Sequence, residues 1–346
     1  GFCFGQWGMN TWGVCGTAPV RPTPSGTIPA MSDPTHLLIP YAASSAPAAR
    51  DALQKLPLPR LTQLLHRLQP GTLEAIDEDS PELPHERALA RALQLDAGPG
   101  RTPWAAHHLR QSGGAPGRDA WAWITPCHWQ IGMDNVVMHD PARLQLHDAH
   151  AHALLATMAP FFAEDGLALQ FDTAGRWLAR GEIFRDLPTA SLDRVSGQTL
   201  GPWMPQTPQA RPLQRLQSEM QMLLYNHPVN DARAAQGLAP VNSFWISGAG
   251  ALPADAPPAD AAPVVATALR DAARRQDWAA WVQAWQQLDA THCAALLSAL
   301  ARGTPVRLTL CGEQATQTFE GMPQGFWQRV SRIFATTPAW NSLSLL

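Results

Sequence analysis

Apolar residues recur in this chain with two periods, and each period predicts a kind of element. Leu213, Leu216, Met220, Leu223 and Leu224 fall on one face of a helix. The runs Leu58–Leu68, Glu82–Leu95 and Leu146–Phe162 also read as helices, the first with Pro59 at its start. Alternation in Val306–Cys311 predicts a strand, and His36–Pro40 and Trp121–Thr125 predict two more. Leu167–Phe171 and Arg176–Ala179 read as a hairpin turning at Asp172–Gly175. Val264–Leu300 reads as two helices with Trp278, Trp281 and Trp285 as a core stripe, and Phe326–Phe334 as a closing helix. Ala42–Ala49 and residues 96–118 read as loops, and Ala251–Ala262 as a Pro/Ala/Asp linker. Strands interleaved with helices predict the α/β class.

Composition narrows the function classes. Hydrophobic residues make up 45% of the 346, enough for a sizeable core. A net charge of −3 and a pI near 6.5 give no electrostatic case for nucleic acid or a membrane surface. No apolar run approaches the length of a membrane span, and the five cysteines show neither C-x-x-C nor paired spacing. A cytoplasmic protein without a disulfide framework or zinc knuckle is expected. The 14 tryptophans are expected to brace loops against the core. Residues 1–33, rich in Gly, Pro, Thr and Ser and without a signal-peptide pattern, are expected to be a disordered extension with Met31 as the true start.

The chemistry gathers in Arg215–Gly250. His227-Pro228 breaks the preceding helix, because proline lacks an N–H and restricts the residue before it. Pro228 can open a short helix that Gly237 and Pro240 end, followed by a β-type run from Val241 to Ile246 and a glycine-rich exit. That corner gathers His227, Asn230 and Arg233: a guanidinium fork plus two directed hydrogen-bonding groups, a set suited to phosphate or carboxylate. The same residues also fit a purely architectural corner, with His227 capping the helix before it. Asp193-Arg194 offers another candidate anion contact, and His147, His150 and His152 a histidine cluster that lacks a matching carboxylate.

His227, Pro228, Asn230, Arg233, Gly237, Pro240, Asn242, Trp245, Gly248 and Gly250, in that order, resemble a segment of the archaeal-type cofactor-independent phosphoglycerate mutases. There it closes the phosphoglycerate-binding domain; those enzymes belong to the alkaline-phosphatase superfamily. From about His36 onward the chain more closely resembles a bacterial group labelled, by similarity, RpfE-type regulatory proteins or phosphoglycerate mutases. The resemblance implies an alkaline-phosphatase-like three-layer α/β core from residues 34–120 and 243–346. A smaller α/β binding domain, residues 121–242, would be inserted into it. It adds Arg176 and Asn242 as substrate contacts, and His128 and Asp134 as further site candidates at the entry to the insertion.

The departures concern catalysis. The family's mechanism needs two divalent metals and a nucleophilic serine. Pro40-Tyr41 stands where the first strand should end in Asp-Gly. Pro81-Glu82-Leu83-Pro84-His85-Glu86 holds no serine; Ser80 just precedes it, and His85 and Glu86 read as first-turn residues of a solvated helix. After Gly250 the ligand candidates are His292 and five scattered aspartates. The expectation is a pseudoenzyme with no cofactor, a non-catalytic regulator that binds a small phosphorylated or carboxylated metabolite. The rivals are a live metal-dependent mutase or phosphatase with rearranged ligands, and a purely structural module.

Overall fold

The computed structural model describes residues 35–253, 262–321 and 339–346. The N-terminal extension, the Met31 start, most of the 251–262 linker and the Phe326–Phe334 helix lie outside them. The chain opens with β1 (His36–Ile39), α1 (Pro47–Lys55), α2 (Pro59–Arg67), β2 (Gln69–Ala75), α3 (Pro84–Ala92) and α4 (Trp104–Gln111). Next come β3 (Trp121–Cys127), β4 (Trp129–Ile131), β5 (Val136–Met138), α5 (Asp148–Glu164), β6 (Ala168–Thr173), β7 (Arg176–Arg180), α6 (Leu192–Val195), α7 (Arg211–Tyr225), α8 (Pro228–Ala234) and β8 (Ser243–Gly250). The last part carries β9 (Val264–Val265), α9 (Ala268–Arg274), α10 (Trp278–Leu288), α11 (Ala294–Ala301), β10 (Val306–Cys311) and β11 (Ala315–Gly321).

The first sheet runs β2-β11-β10-β1-β9. Its centre is parallel: Leu37 of β1 pairs with Leu308 on one side and Val264 on the other. One face buries Leu37, Ile39, Leu308 and Leu310 under Leu61 and Leu64 of α2, Trp281 and Trp285 of α10, and Leu296 of α11. Alternate positions face the other way, since side chains alternate across a strand. On that side α3 packs against β1, β10 and β11, over the buried Leu38, Thr309 and Cys311. The result is helix, sheet, helix: the three-layer α/β core.

The second sheet is antiparallel, in the order β6-β7-β3-β8. Ala122, Ile124, Phe244 and Ile246 face α5 and α7, which contribute Leu154, Met158 and Phe162, and Leu213, Leu216 and Met220. Trp121 and Leu178 face α4 on the other side. The sequence boundary at 243 put Ser243–Gly250 with the first sheet, but it pairs with β3 from Cys127↔Ser243 to Trp121↔Gly250. Every residue of β8 is buried, and its serines and glycines fall in no alternation, so the run gave no face to read. Gly248 continues the strand at φ +60°, where an added Cβ would lie 2.9 Å from Trp104 and Trp123.

Three of the tryptophans brace loops by hydrogen bonds, while the indole N–H groups of Trp123, Trp129, Trp177 and Trp285 have no partner among the described residues. Trp281 donates to the Tyr41 carbonyl, Trp245 to that of Ala190, and Trp121 to that of Pro116. Cys127, Cys293 and Cys311 are free and buried. Among the described residues no helix is long and apolar enough to cross a membrane.

Candidate functional site

Ligands of open α/β sheets gather outside the carboxyl ends of parallel strands. At that edge of the first sheet, chain leaves β1 through Tyr41, whose φ of +53° is uncommon for a residue with a side chain. The exit is pinned on both sides: the Ala42 N–H donates to Cys311 (2.7 Å), and the Tyr41 carbonyl accepts from Trp281 (3.0 Å). Beyond β10, Glu313 accepts from the Ser44 hydroxyl (2.6 Å) and the Ser45 N–H (3.0 Å), closing the loop.

Three further segments meet there. Pro84 starts α3, so His85 and Glu86 occupy its first turn, where Glu86 accepts the Leu83 N–H at 2.7 Å. The segment 189–194 is strapped to the first sheet's loops, with Thr189 N–H donating to Gly100 and Ser191 N–H to Pro81 (2.8 and 2.9 Å). The Ser191 hydroxyl caps α6, presenting Asp193 and Arg194. From α9 come Arg270 and Arg274, one turn apart.

Asp193 is the hub. Arg274 contacts its Oδ1, Arg270 lies 3.7 Å from Oδ2, and His85 Nε2 is 4.0 Å from Oδ2. Arg274 also faces Asp140 at 3.8 Å, and Arg270 pairs with Asp271 at 3.0 Å. Arg194 differs: it donates to the Glu82 carbonyl (3.3 Å) and lies over Trp203, but its buried Nε has no acceptor. His85 is 6% exposed, touches the Tyr41 ring at 5.8 Å, and makes no hydrogen bond to a described residue. Burial, together with Arg270, Arg274 and Arg194, holds the His85 imidazole down to about 3, so it is neutral. Burial pushes Glu86 up to about 7 despite the hydrogen bonds from Leu83 and Ser191. Burial also raises the Tyr41 phenol and lowers Arg194.

His85, Glu86 and Asp193 are the one group of three metal-capable side chains among the described residues, their ligand atoms within 4.8 Å of one another. The set does not fit two divalent ions. Both Asp193 oxygens already face guanidinium groups, Glu86 holds a main-chain N–H, and three arginines would repel the dication.

The expected residues sit elsewhere, apart from Arg194. At the α8 corner, Asn230 is full: its amide donates to the Leu224 and Val241 carbonyls (both 2.8 Å), and its oxygen accepts the Val241 N–H (2.9 Å). Arg233 has no exposed surface, and its guanidinium donates to the carbonyls of Ala239, Leu144 and Gln145. His227 caps α8 through Nδ1, and its Nε2 meets Thr157 at 3.0 Å. Asn242 bonds Trp129 at both its N–H and carbonyl. His128 packs edge-on against His139 with Nδ1 near the Pro240 carbonyl, while Asp134 is exposed in the β4–β5 turn. Arg176 joins a separate cluster, pairing with Asp172 (2.9 Å) and His108 (3.2 Å) over Trp123. In the histidine cluster, His152 stacks on Phe171 and His147 lies 6.3 Å from His150, ring to ring.

Sequence reasoning placed His85 and Glu86 on a solvated face and passed over Tyr41, Arg270 and Arg274. His85 is buried and Glu86 half-buried, because α3 packs on the sheet and Asp193 of α6 meets its first turn. One signal was available: Arg270 and Arg274 at i, i+4 repel on an isolated helix and so call for a carboxylate from elsewhere.

No protein-family model matches the chain, and no curated protein does. Among solved structures it is similar to the cofactor-independent phosphoglycerate mutase of Thermoplasma acidophilum. Identity there is 14%, over 90% of this chain and 98% of that one, with a TM-score of 0.36. A protein from Pyrococcus horikoshii is similar at 12% identity, over 84% and 88% of the two chains, with a TM-score of 0.44. These are likenesses of fold.

Proposed function

We propose that this protein is a non-catalytic, cytoplasmic regulator that binds a small phosphorylated or carboxylated metabolite without metal, at the carboxyl edge of the first sheet. The observation that carries the reading is a buried polar atom with no hydrogen-bond partner among the described residues, Arg194 Nε, close enough to the neutral His85 imidazole for the guanidinium charge to act on it. Buried donors and acceptors are otherwise almost always paired, so a ligand is the natural complement. An oxyanion fits because, among the described residues, Arg194 has no carboxylate within ion-pairing distance, whereas Arg270 and Arg274 do. The His227–Asn230–Arg233 corner then serves as architecture, holding the chain between α5, α7 and β8.

The rival is a metal-dependent phosphomutase or phosphatase, which the proximity of His85, Glu86 and Asp193 alone favours. Calorimetric titration of the full chain with 3-phosphoglycerate and with inorganic phosphate, with and without manganese, separates the two. Metal-independent binding, weakened at least about tenfold by Arg194→Met as expected for loss of a charge-assisted contact, supports the proposal. Binding or turnover that requires manganese supports the enzyme. No binding under either condition leaves a structural module.

A further inference from the structure

Resting on that reading, we infer that Glu86 serves the same site as a protonated acid, so that each oxyanion held at Arg194 is accompanied by one proton on Glu86. The inference comes from what surrounds the carboxyl group. Glu82 lies just before its helix and His85 on the same first turn; Glu82 is a buried carboxyl group, and His85 is neutral. From α6, Asp193 brings a second carboxylate within 4.8 Å, and Arg194 and the Ser191 hydroxyl also face it. From α9, Arg270 and Arg274 contact Asp193. The exit of β1 adds the neutral Tyr41 phenol, and that of β10 adds Glu313, tied to Ser44 and Ser45.

Two carboxylates this close cannot both ionise easily in a partly dry site. Asp193 is contacted by two guanidinium groups, which favour its ionised form. Glu86 is therefore the member that takes a proton, and Arg194 is the guanidinium whose charge favours its ionised form. An oxyanion at Arg194 occupies that cation and adds negative charge, which drives Glu86 to the acid form. The acid's O–H is then a donor toward the ligand, beside the guanidinium. Ligand class follows: an oxyanion with one oxygen for the guanidinium fork and another to accept from a carboxylic acid, as a phosphomonoester or carboxylate offers. Because burial places the Glu86 midpoint near neutrality, the exchange falls in the physiological range.

Sulfate is the clean probe, since its own charge is constant from pH 6 to 8.5 and any slope belongs to the protein. The expected result is sulfate binding that weakens as pH rises, approaching about tenfold per pH unit above the Glu86 midpoint for a single linked proton. Titration in two buffers of different ionisation enthalpy should show uptake of up to one proton per sulfate on the alkaline side. Glu86→Gln, which keeps a donor and cannot titrate, should bind with a flat pH profile. Sulfate binding with no slope and no proton uptake overturns the role of Glu86 and leaves the anion site standing, as does a slope that persists in Glu86→Gln. Absence of sulfate binding at pH 6 overturns the anion site and this inference with it. Should Glu86→Gln fail to fold, proton uptake by the unaltered protein decides.

Discussion

A guanidinium with no exposed surface and, among the described residues, no carboxylate partner, as at Arg233, is held by main-chain oxygens. Those of Ala239, Leu144 and Gln145 tie the end of α8 to the segment before α5. Arg233→Met would keep most of the volume and strip the donors, leaving carbonyls that each cost about 1–3 kcal/mol unpaired. A loss of about 3 kcal/mol in denaturant unfolding is expected, with metabolite affinity of the folded protein unchanged. Lost affinity at full stability would return the anion site to this corner. The residue types of this corner were legible in the sequence; their direction was not. A set of donors that would clasp a phosphate clasps carbonyls equally well, because both present oxygen at the same distance. At the carboxyl edge of the first sheet the difficulty was of another kind: His85 and Glu86 read as surface because the groups that meet them come from α6 and α9, far away in the chain.

Among elements, α2 shows how much of the helix content was local. Pro59 and the Leu61/Leu64 face were enough to place it, yet Leu58 at its N-cap has no side-chain acceptor. Asp289, in the π-helical turn between α10 and α11, supplies one instead, taking the Leu61 N–H at 2.7 Å and the Arg60 N–H at 3.4 Å. Asp289→Ala should cost about 1–2 kcal/mol in thermal or chemical unfolding, the worth of an N-cap, while Asp289→Asn keeps the acceptor and should cost less. Equal losses would place the effect in charge rather than capping. Elements with a periodic face were legible: α5, α7, β10 and the β6–β7 hairpin. β2 was not, because all seven of its residues are exposed and it includes a proline and a glycine. α4 was hidden between glycine- and proline-rich flanks that read as loop.

For the whole molecule, the shifted groups oppose one another in pH. Burial lowers His36 to about 4 and His85 to about 3, so their contribution to stability is complete above about 6.5 and lost as pH falls below it. Glu86 is raised, so its contribution is present at low pH and lost as pH climbs from about 4.5 through 7. In anion-free buffer the thermal midpoint should rise from pH 4 to about 6.5 and then decline. Glu86→Gln should abolish the decline; a decline that survives the substitution lies with another group. The topology has a separate consequence, for biosynthesis. β1 emerges early and is an interior strand of the first sheet, yet its partners β9 and β10 come far later; His36 bonds Thr309, 273 residues on. At translation rates of about 5–20 residues per second, Leu37, Leu38 and Ile39 wait roughly 15–50 s unpaired. The second sheet, with all four strands between Trp121 and Gly250, can close in that interval. The nascent chain therefore carries a finished second sheet beside an unfinished first, and a ribosome-associated chaperone would find its work at β1.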